Sequence, residues 1–177
     1  MEKKKEKPSF VSSSAKATAD KKTSEGQRKK IVVAVSGGFD PLHIGHTRLF
    51  EKARSFGDEL VVILNNDNLL KQKKGFVFIL QDERKEIIES LKWVDKVILT
   101  GHGSRPKDMS VNAELRKIKP DIFANGGDRT KNNIPELAVC KEINCETIFN
   151  VGQGGKIQSS SWLLEKFLKS KKIHRES

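Results

Sequence analysis

Apolar residues in this chain are gathered into short unbroken runs that alternate with segments of helical periodicity. The runs cover residues 31–36, 59–66, 95–100, 121–125 and 146–151. Apolar side chains recur at helical spacing in residues 46–56, 81–93, 111–118, 134–143 and 159–168. Unbroken runs are typical of strands buried on both faces of a parallel sheet. The pattern predicts an α/β fold, a single Rossmann-like, doubly wound sheet of five parallel strands with helices on both faces.

Polar and glycine-rich clusters follow four of the five predicted strands. They read GGFDPLHIGH after the first strand, NNDNLLKQKK after the second, NGGDRT after the fourth and GQGGKIQSSS after the fifth. In a parallel sheet the carboxyl ends of the strands share one edge, and ligands bind there at the point where the strand order reverses. We therefore expect these clusters to build one site.

The net charge of +11 lies mainly at the ends of the 177-residue chain. Residues 1–30 carry ten Lys and Arg against four Asp and Glu, and residues 165–177 carry five against two. We predict a disordered basic tail over residues 1–29, one domain over residues 30–169 and a basic C-terminal tail over residues 170–177. Such tails also suit weak contact with nucleic acid.

The sequence gives little sign of a membrane or of secretion. No apolar stretch approaches the ~20 residues of a membrane span, and no apolar segment follows the basic N-terminus as a secretion signal requires. Cys140 and Cys145 have a spacing that matches no zinc knuckle or redox pair. We expect reduced thiols and a cytoplasmic protein.

His43 and His46 lie three residues apart, just behind a glycine pair. Zinc needs further ligands, and since only His102 and His174 remain as histidines, we predict no metal site formed by protein side chains alone. A role in bracing a helix stays open for the two histidines. The glycines and the N-terminus of the following helix favour a phosphate chain, whose oxygens accept hydrogen bonds from imidazoles.

The stretch GGFDPLHIGH resembles the G-x-F-D-x-x-H-x-G-H signature of the cytidylyltransferase-like nucleotidyltransferases, a branch of the HIGH superfamily. DERKEII resembles the family's E-R-x-x-x-I helix, and LKWVDKVI the segment around its third strand. NGGDR and QSSSWL resemble its G-[DG]-D and I-S-[ST]-[ST] motifs. The resemblance spans residues 31–168.

This resemblance implies nucleotidyl transfer. A phosphate oxygen of a phosphorylated polyol or sugar attacks the α-phosphorus of CTP or ATP, and pyrophosphate leaves without a covalent enzyme intermediate. Mg²⁺ accompanies the triphosphate. The catalytic residues implied are His43, His46 and Lys73. The residues expected at the nucleotide are Gly37, Gly38, Phe39, Asp40, Gly45, Lys71, Lys74, Arg84, Gly126, Gly127, Asp128, Lys156, Ser159, Ser160 and Ser161.

Several of these residues also have structural alternatives. Arg84, taken alone, would also suit a surface ion pair with a residue four positions away on its helix. The Gly-Gly-Asp sequence would suit an ordinary turn, and the three serines would suit helix capping. Which of the three lysines reaches the triphosphate stays open, since a lysine run is usually only solvated.

Two departures from the family pattern leave the substrates open. Glycerol-3-phosphate cytidylyltransferases carry G-D-D-W where this chain has GGDR, a form closer to heptose-phosphate adenylyltransferases. The family's R-T-E-G-I-S-T-T is replaced by GGKIQSSS, so Lys156 stands nearest to the missing arginine without its bidentate fork.

The alternatives to a cytidylyltransferase are therefore an ATP-specific, heptose 1-phosphate type adenylyltransferase, or a non-catalytic nucleotide-binding protein with tails that associate with nucleic acid. Class I aminoacyl-tRNA synthetases share HIGH, but this chain is too short for one. We expect a homodimer.

Overall fold

The protein is built around one parallel sheet. The computed structural model describes residues 28–127, 129–130, 132–152 and 159–173. The strands are β1 (Val32–Gly37), β2 (Glu59–Leu64), β3 (Lys96–Leu99), β4 (Ile122–Ala124) and β5 (Glu146–Ile148). Their order is β3-β2-β1-β4-β5, and every neighbouring pair is parallel. The predicted five-stranded parallel sheet is confirmed.

Helices connect the strands and follow the last one. They are α1 (Ile44–Arg54), α2 (Asp67–Lys74), α3 (Gln81–Glu89), α4 (Asn112–Ile118), α5 (Leu137–Glu142) and α6 (Ser160–Ile173). The pattern of apolar residues predicts no helix over Asp67–Lys74, and this prediction is wrong because α2 lies there. Its only apolar residues, Leu69 and Leu70, are buried but adjacent, so no apolar residue recurs at helical spacing in the segment. Helix α6 continues to Ile173, beyond the predicted domain boundary.

Both faces of the sheet are buried, which explains the unbroken apolar runs. Val33 and Val35 of β1 pack in one layer with residues of α1 and α3, while Ala34 packs in the other layer with residues of α4 and α5. All three β1 side chains are 0% exposed. Alternate residues of a strand face opposite sides, so a strand between two helical layers has no polar face.

The strand order reverses at β1, which has β2 on one side and β4 on the other. The segments that follow these three strands therefore meet at the carboxyl edge of the sheet. Asn65, directly after β2, donates its backbone N–H to the Gly37 carbonyl at 2.9 Å. Asn125, directly after β4, donates to the Ile148 carbonyl at 2.8 Å. These two hydrogen bonds fix the first residue after β2 and the first residue after β4 at the carboxyl edge of the sheet.

The basic residues before β1 contact the opposite, amino edge. Arg28, Lys29 and Lys30 form exposed ion pairs with Asp58, Asp121 and Glu59. Pairs of this kind contribute little to stability. The remainder of the predicted N-terminal tail, and residues 174–177, lie outside the described residues. Within the described part of the chain, no helix has the length and apolar character needed to cross a membrane.

Candidate active site

A cavity of about 390 Å³ opens at the carboxyl ends of β1, β2 and β4, where the strand order reverses. We call it the active-site cavity. The predicted residues that line it are Gly37, Gly38, Phe39, His43, Gly45, His46, Lys73, Lys74, Gly126, Gly127, Ser159, Ser160 and Ser161. Asp40, Lys71 and Arg84 are not among its lining residues. Asp128 and Lys156 lie outside the described residues.

The two histidines begin α1 and stack on each other. His43 is the N-cap, and its Nδ1 accepts the backbone N–H of Gly45 at 3.2 Å. The Nδ1 of His46 accepts the backbone N–H of His43 at 3.3 Å, which completes a capping box. The ring centroids are 3.6 Å apart. Both rings therefore cap the helix, which is the bracing role that the sequence left open for the two histidines.

Each imidazole is a neutral hydrogen-bond donor in this arrangement. A ring whose Nδ1 accepts a hydrogen bond carries its proton on Nε2. Burial, followed by the charges of His43 and Lys74, lowers the pKa of His46 to about 3. Burial also lowers the pKa of His43, and the charge of Lys74 acts in the same direction. Both rings thus offer an Nε2–H to an anion in the cavity without holding a charge of their own.

Gly37, the last residue of β1, and Gly38 both lie against side chains of the protein. A Cβ on Gly37 would lie 2.8 Å from the Cζ of Phe39, and one on Gly38 would lie 2.6 Å from the Cδ2 of Leu70. From the sequence we expect close approach of a ligand at these glycines, whereas their nearest neighbours in the structure are protein side chains. The missing side chain of Gly37 leaves room for the Phe39 ring, and that of Gly38 leaves room for Leu70.

Phe39 supports the histidines from below. It adopts a left-handed backbone with φ +49, which is uncommon outside glycine. Its ring is 5% exposed and packs edge-on against both His46 and Phe50, each with centroids 5.0 Å apart. Phe39 therefore acts as a support for the His46 ring at the cavity wall.

Asp40 ties neighbouring segments to the site. Its carboxylate accepts the backbone N–H groups of Phe78 and Ile79, each at 2.8 Å, and its carbonyl accepts the Lys74 ammonium at 3.0 Å. The side chain is committed to the segment between α2 and α3. Its predicted role in shaping the turn fits this position, although contact with nucleotide stays a prediction.

Arg84 is buried, with only 1% of its side chain exposed. The surface ion pair considered from the sequence is therefore wrong. The guanidinium donates to the carbonyls of Gly38 at 2.6 Å and Asn65 at 2.8 Å, and to the Asp67 carboxylate at 2.6 Å. It joins the ends of β1 and β2 from behind the cavity wall. The structure thus gives Arg84 a positioning role, and its direct contact with nucleotide stays a prediction.

The lysines of α2 are divided by the structure. All three lysines are exposed, but Lys73 and Lys74 line the active-site cavity and Lys71 does not. Partial desolvation lowers the pKa of both cavity lysines. The charge of Arg129 lowers the pKa of Lys73 further, and Glu136 opposes this effect.

The three serines begin the last helix. The Ser159 hydroxyl accepts the backbone N–H of Trp162 at 3.1 Å, an N-capping contact. The Ser160 hydroxyl donates to the Pro41 carbonyl at 3.1 Å, so this serine links α6 to the segment after β1. Ser161 also lines the cavity. Ser159 thus caps α6, and Ser160 links α6 to the segment after β1. Contact of the three serines with phosphate stays a prediction.

Five polar residues of the cavity wall were not named individually as site residues from the sequence: Arg48, Asn65, Asn125, Arg129 and Glu136. Asn65, Asn125 and Arg129 belong to the polar clusters after β2 and β4 that were expected to build one site at the carboxyl edge. Arg48 and Glu136 lie outside those clusters and were missed. Glu136 is 6% exposed, and its Oε1 accepts the backbone N–H of Val111 at 3.2 Å.

Comparison with known proteins agrees with this geometry. The sequence profile of the family described as Cytidylyltransferase-like matches residues 34–166. The FAD synthase of Thermococcus sibiricus is 36% identical over 125 residues, which cover 69% of this chain and 81% of the relative. The FAD synthase of Pyrococcus horikoshii is 34% identical over 105 residues, which cover 59% of this chain and 68% of the relative.

Two further proteins extend the comparison. The bifunctional protein HldE of Geobacter sulfurreducens is 32% identical over 148 residues, which cover 82% of this chain but only 29% of that protein. The crystal structure of the lipopolysaccharide core biosynthesis protein from Thermoplasma volcanium superposes with a TM-score of 0.58 at 27% identity, covering 71% of this chain and 100% of that one. The chain therefore belongs to the cytidylyltransferase-like nucleotidyltransferases, a family of enzymes.

Proposed function

We propose that this chain is an adenylyltransferase, which transfers AMP from ATP to a phosphomonoester and releases pyrophosphate. Nucleotidyl transfer is the chemistry of its family. The relatives named FAD synthase form a dinucleotide that contains AMP, and this supports ATP over CTP. Two acceptor classes follow from the comparisons and the motifs: FMN, as in FAD formation, and a sugar phosphate, as the resemblance of GGDR to heptose-phosphate adenylyltransferases implies.

The stacked, neutral pair of His43 and His46 carries the proposal. An acceptor phosphate oxygen attacks the α-phosphorus of ATP and forms the new P–O bond. The bond from the α-phosphorus to the bridging oxygen breaks, and its electron pair leaves with pyrophosphate. Negative charge grows on the departing oxygens, where hydrogen-bond donors already held in place at the cavity wall would stabilise it without rearrangement. The two Nε2–H groups are such donors.

The cationic residues of the cavity wall complement the triphosphate. Lys73, Lys74 and Arg129 line the active-site cavity together with the histidines. Their positive charges favour the negative groups that meet in the cavity, namely the triphosphate of ATP with its leaving pyrophosphate and the phosphate of the acceptor. Because no bond to the enzyme forms, alignment of acceptor and ATP by these groups and by the helix N-terminus supplies the rest of the rate enhancement.

The proposal includes a magnesium ion that binds together with ATP, and two oxygen-bearing residues of the cavity wall support it. Asn65 Oδ1 is a buried oxygen without a hydrogen-bond partner in the described part of the chain. Glu136 contributes a buried carboxylate to the same cavity wall. Mg²⁺ prefers oxygen ligands of these kinds beside water and phosphate. Asn65 and Glu136 would hold the ion, which would neutralise triphosphate charge.

The test is pyrophosphate release by the purified chain with each of ATP, CTP, GTP and UTP in the presence of Mg²⁺. FMN, glycerol 3-phosphate and a hexose 1-phosphate serve as acceptors. We expect release with ATP that depends on an acceptor and is lost in His46→Gln but retained in His102→Gln, whose ring lies outside the cavity. A preference for CTP, or no release with any pair, would reject adenylyl transfer.

A further inference from the structure

A second cavity of about 640 Å³ lies between the segment that joins α2 to α3 and helix α6. We call it the apolar cavity. Its apolar side chains come from Phe76, Phe78, Leu163, Leu164, Phe167 and Leu168. The volume falls within the range of roughly 300–1,000 Å³ typical of small-molecule sites. Family motifs do not point to it, since most of these residues lie outside them.

The apolar cavity borders the active-site cavity. Four residues line both: Lys73, Lys74, Ser160 and Ser161. Two ammonium groups and two hydroxyls at this boundary suit the phosphate of an acceptor. A molecule with its phosphate at the boundary would extend its other end between the phenylalanines and leucines. The boundary and the apolar walls therefore describe a ligand with one anionic end and one apolar end.

Both walls of the apolar cavity are anchored to the segment after β1. The carboxylate of Asp40 holds the backbone of Phe78 and Ile79 at 2.8 Å each. On the other side, the Ser160 hydroxyl holds the Pro41 carbonyl at 3.1 Å. The two walls are thus attached to the same short segment that leads into the catalytic helix. A cavity already formed in this way requires little ordering when its ligand binds.

The chemistry of the walls selects between the two acceptor classes. Phe78, Phe167 and Leu168 are 59%, 55% and 54% exposed, so a ligand between them would remove apolar surface from water. Aromatic side chains add stacking with a flat ring. Glu165 also lines the cavity, where its carboxylate forms an ion pair with Lys169. Sugar hydroxyls against the phenylalanine and leucine walls would give up hydrogen bonds to water and find no partner there.

We propose that the apolar cavity binds the far end of the acceptor, and that the acceptor is a phosphomonoester carrying a flat, largely apolar ring system. FMN has this chemistry and a hexose phosphate does not. The inference rests on the proposed function, because it places the attacking phosphate of the acceptor against Lys73 and Lys74, which line both cavities. The other candidate occupant of the apolar cavity is a second copy of the chain. Binding of a second copy would not require the two lysines, Lys73 and Lys74, that line both this cavity and the active-site cavity.

The first experiment measures FMN binding by quenching of flavin fluorescence, with the full chain and without ATP. Phe78→Ala and Phe167→Ala each remove one aromatic wall. Leu80→Ala is the matched control, because Leu80 lies near Phe78, is equally exposed at 59% and is outside the cavity lining. We expect the Kd for FMN to rise about tenfold in the two phenylalanine variants, the effect of ~1.4 kcal/mol, and to stay unchanged in Leu80→Ala. ATP binding should stay unchanged in all three.

Acceptor kinetics separate this inference from the proposed function. Turnover with a hexose phosphate in preference to FMN, or FMN affinity insensitive to both phenylalanine variants, would overturn the acceptor site while adenylyl transfer stands. FMN binding weakened by the variants, with no pyrophosphate release from any acceptor, would support the ring site and reject the transfer. Sedimentation velocity decides the remaining case: a dimer that Phe78→Ala dissociates without affecting FMN binding would assign the cavity to a second copy and overturn the inference.

Discussion

The imidazole rings of His43 and His46 stack with centroids 3.6 Å apart and planes inclined by 21°. The same rings also cap α1, since each Nδ1 accepts a backbone N–H. Capping thus uses one nitrogen of each ring and leaves the proton on the other. Structural and catalytic roles coexist in the pair, and substitutions that preserve only the capping role can separate them.

His43→Asn and His46→Gln are the substitutions that preserve capping. Asn is among the best N-cap residues, and Gln at the third helical position is part of capping boxes. Both variants lose the imidazole ring, and when the amide oxygen accepts the capping N–H, the amide N–H groups do not take the position of the imidazole Nε2–H. We expect kcat to fall about 10²-fold or more, the scale of a lost oxyanion donor, while the melting temperature and the Kd for ATP change little. Thermal melts, calorimetric ATP binding and pyrophosphate release measure the three quantities.

His43→Ala provides the comparison for stability. It removes the cap as well as the ring, so we expect an additional loss of about 0.5–2 kcal/mol in the free energy of unfolding relative to His43→Asn. If His43→Asn and His46→Gln turn over normally, and only His43→Ala is impaired through early melting, the histidines serve the helix alone.

The low pKa of His46 makes stability depend on pH. An unfolded histidine titrates near 6.5, whereas His46 in the folded chain titrates near 3. Between these values the unfolded state binds a proton that the folded state does not, so stability falls as the pH drops below 6.5. The slope from this residue approaches ~1.4 kcal/mol per pH unit near pH 5. Above pH 6.5 the effect is absent.

Urea unfolding at pH 7, 6 and 5 measures this dependence. We expect the wild-type chain to lose more stability over the range than His46→Gln, which has no group to titrate there. The difference should be small between pH 8 and pH 7. Parallel losses in the two proteins from pH 7 to pH 5 would show that burial does not suppress protonation of His46.

Lys73 and Lys71 provide a matched pair on one helix. Both side chains are exposed, but Lys73 lines the active-site cavity and Lys71 does not. We expect Lys73→Met to lower kcat/KM for ATP about tenfold or more, because a cation beside the triphosphate is lost in a partly desolvated site. Lys71→Met should leave kcat/KM within about twofold. Equal effects of the two substitutions on pyrophosphate release would mean that the lysines act only through the overall charge of the helix.

The sequence predicted the fold well for a physical reason. A sheet covered on both faces produces unbroken apolar runs, so β1 to β5 were visible as runs, and their carboxyl ends defined one edge. Helix α2 was invisible because its two apolar residues, Leu69 and Leu70, are adjacent and the rest of DNLLKQKK is polar, so no apolar residue recurs at helical spacing. The position of both histidines at the cavity could be predicted because the single segment GGFDPLHIGH contains the end of β1 and the start of α1.

Residues that depend on distant contacts were harder to predict. Glu136 reaches the cavity from the start of α5, and its burial follows from packing that no local pattern records. Arg84 resembled a surface residue because it lies in a charged stretch, whereas its partners Gly38 and Asn65 are 46 and 19 residues away. The homodimer, the contact of the tails with nucleic acid and the cytoplasmic location stay predictions.

The last prediction concerns Arg84, whose guanidinium joins the ends of β1 and β2 through carbonyl groups and pairs with Asp67. Arg84→Met fills similar space but leaves those carbonyls and the partly buried carboxylate without their donor. We expect the free energy of unfolding to fall by about 3 kcal/mol or more, as when one partner of a buried pair is removed. Lysine has neither the reach nor the fork, so Arg84→Lys should rescue little.

Arg116→Met is the matched control for this experiment. Arg116 pairs with Glu142 in an exposed position, and surface pairs contribute little. Urea unfolding of the three variants gives the stabilities, and ATP binding at a temperature where each is folded gives the second readout. If Arg84 acts by positioning, both Arg84 variants lose stability, and the variant that stays folded binds ATP more weakly because the Gly38 and Asn65 loops have moved. Normal stability with lost ATP binding would instead show that Arg84 contacts the nucleotide directly.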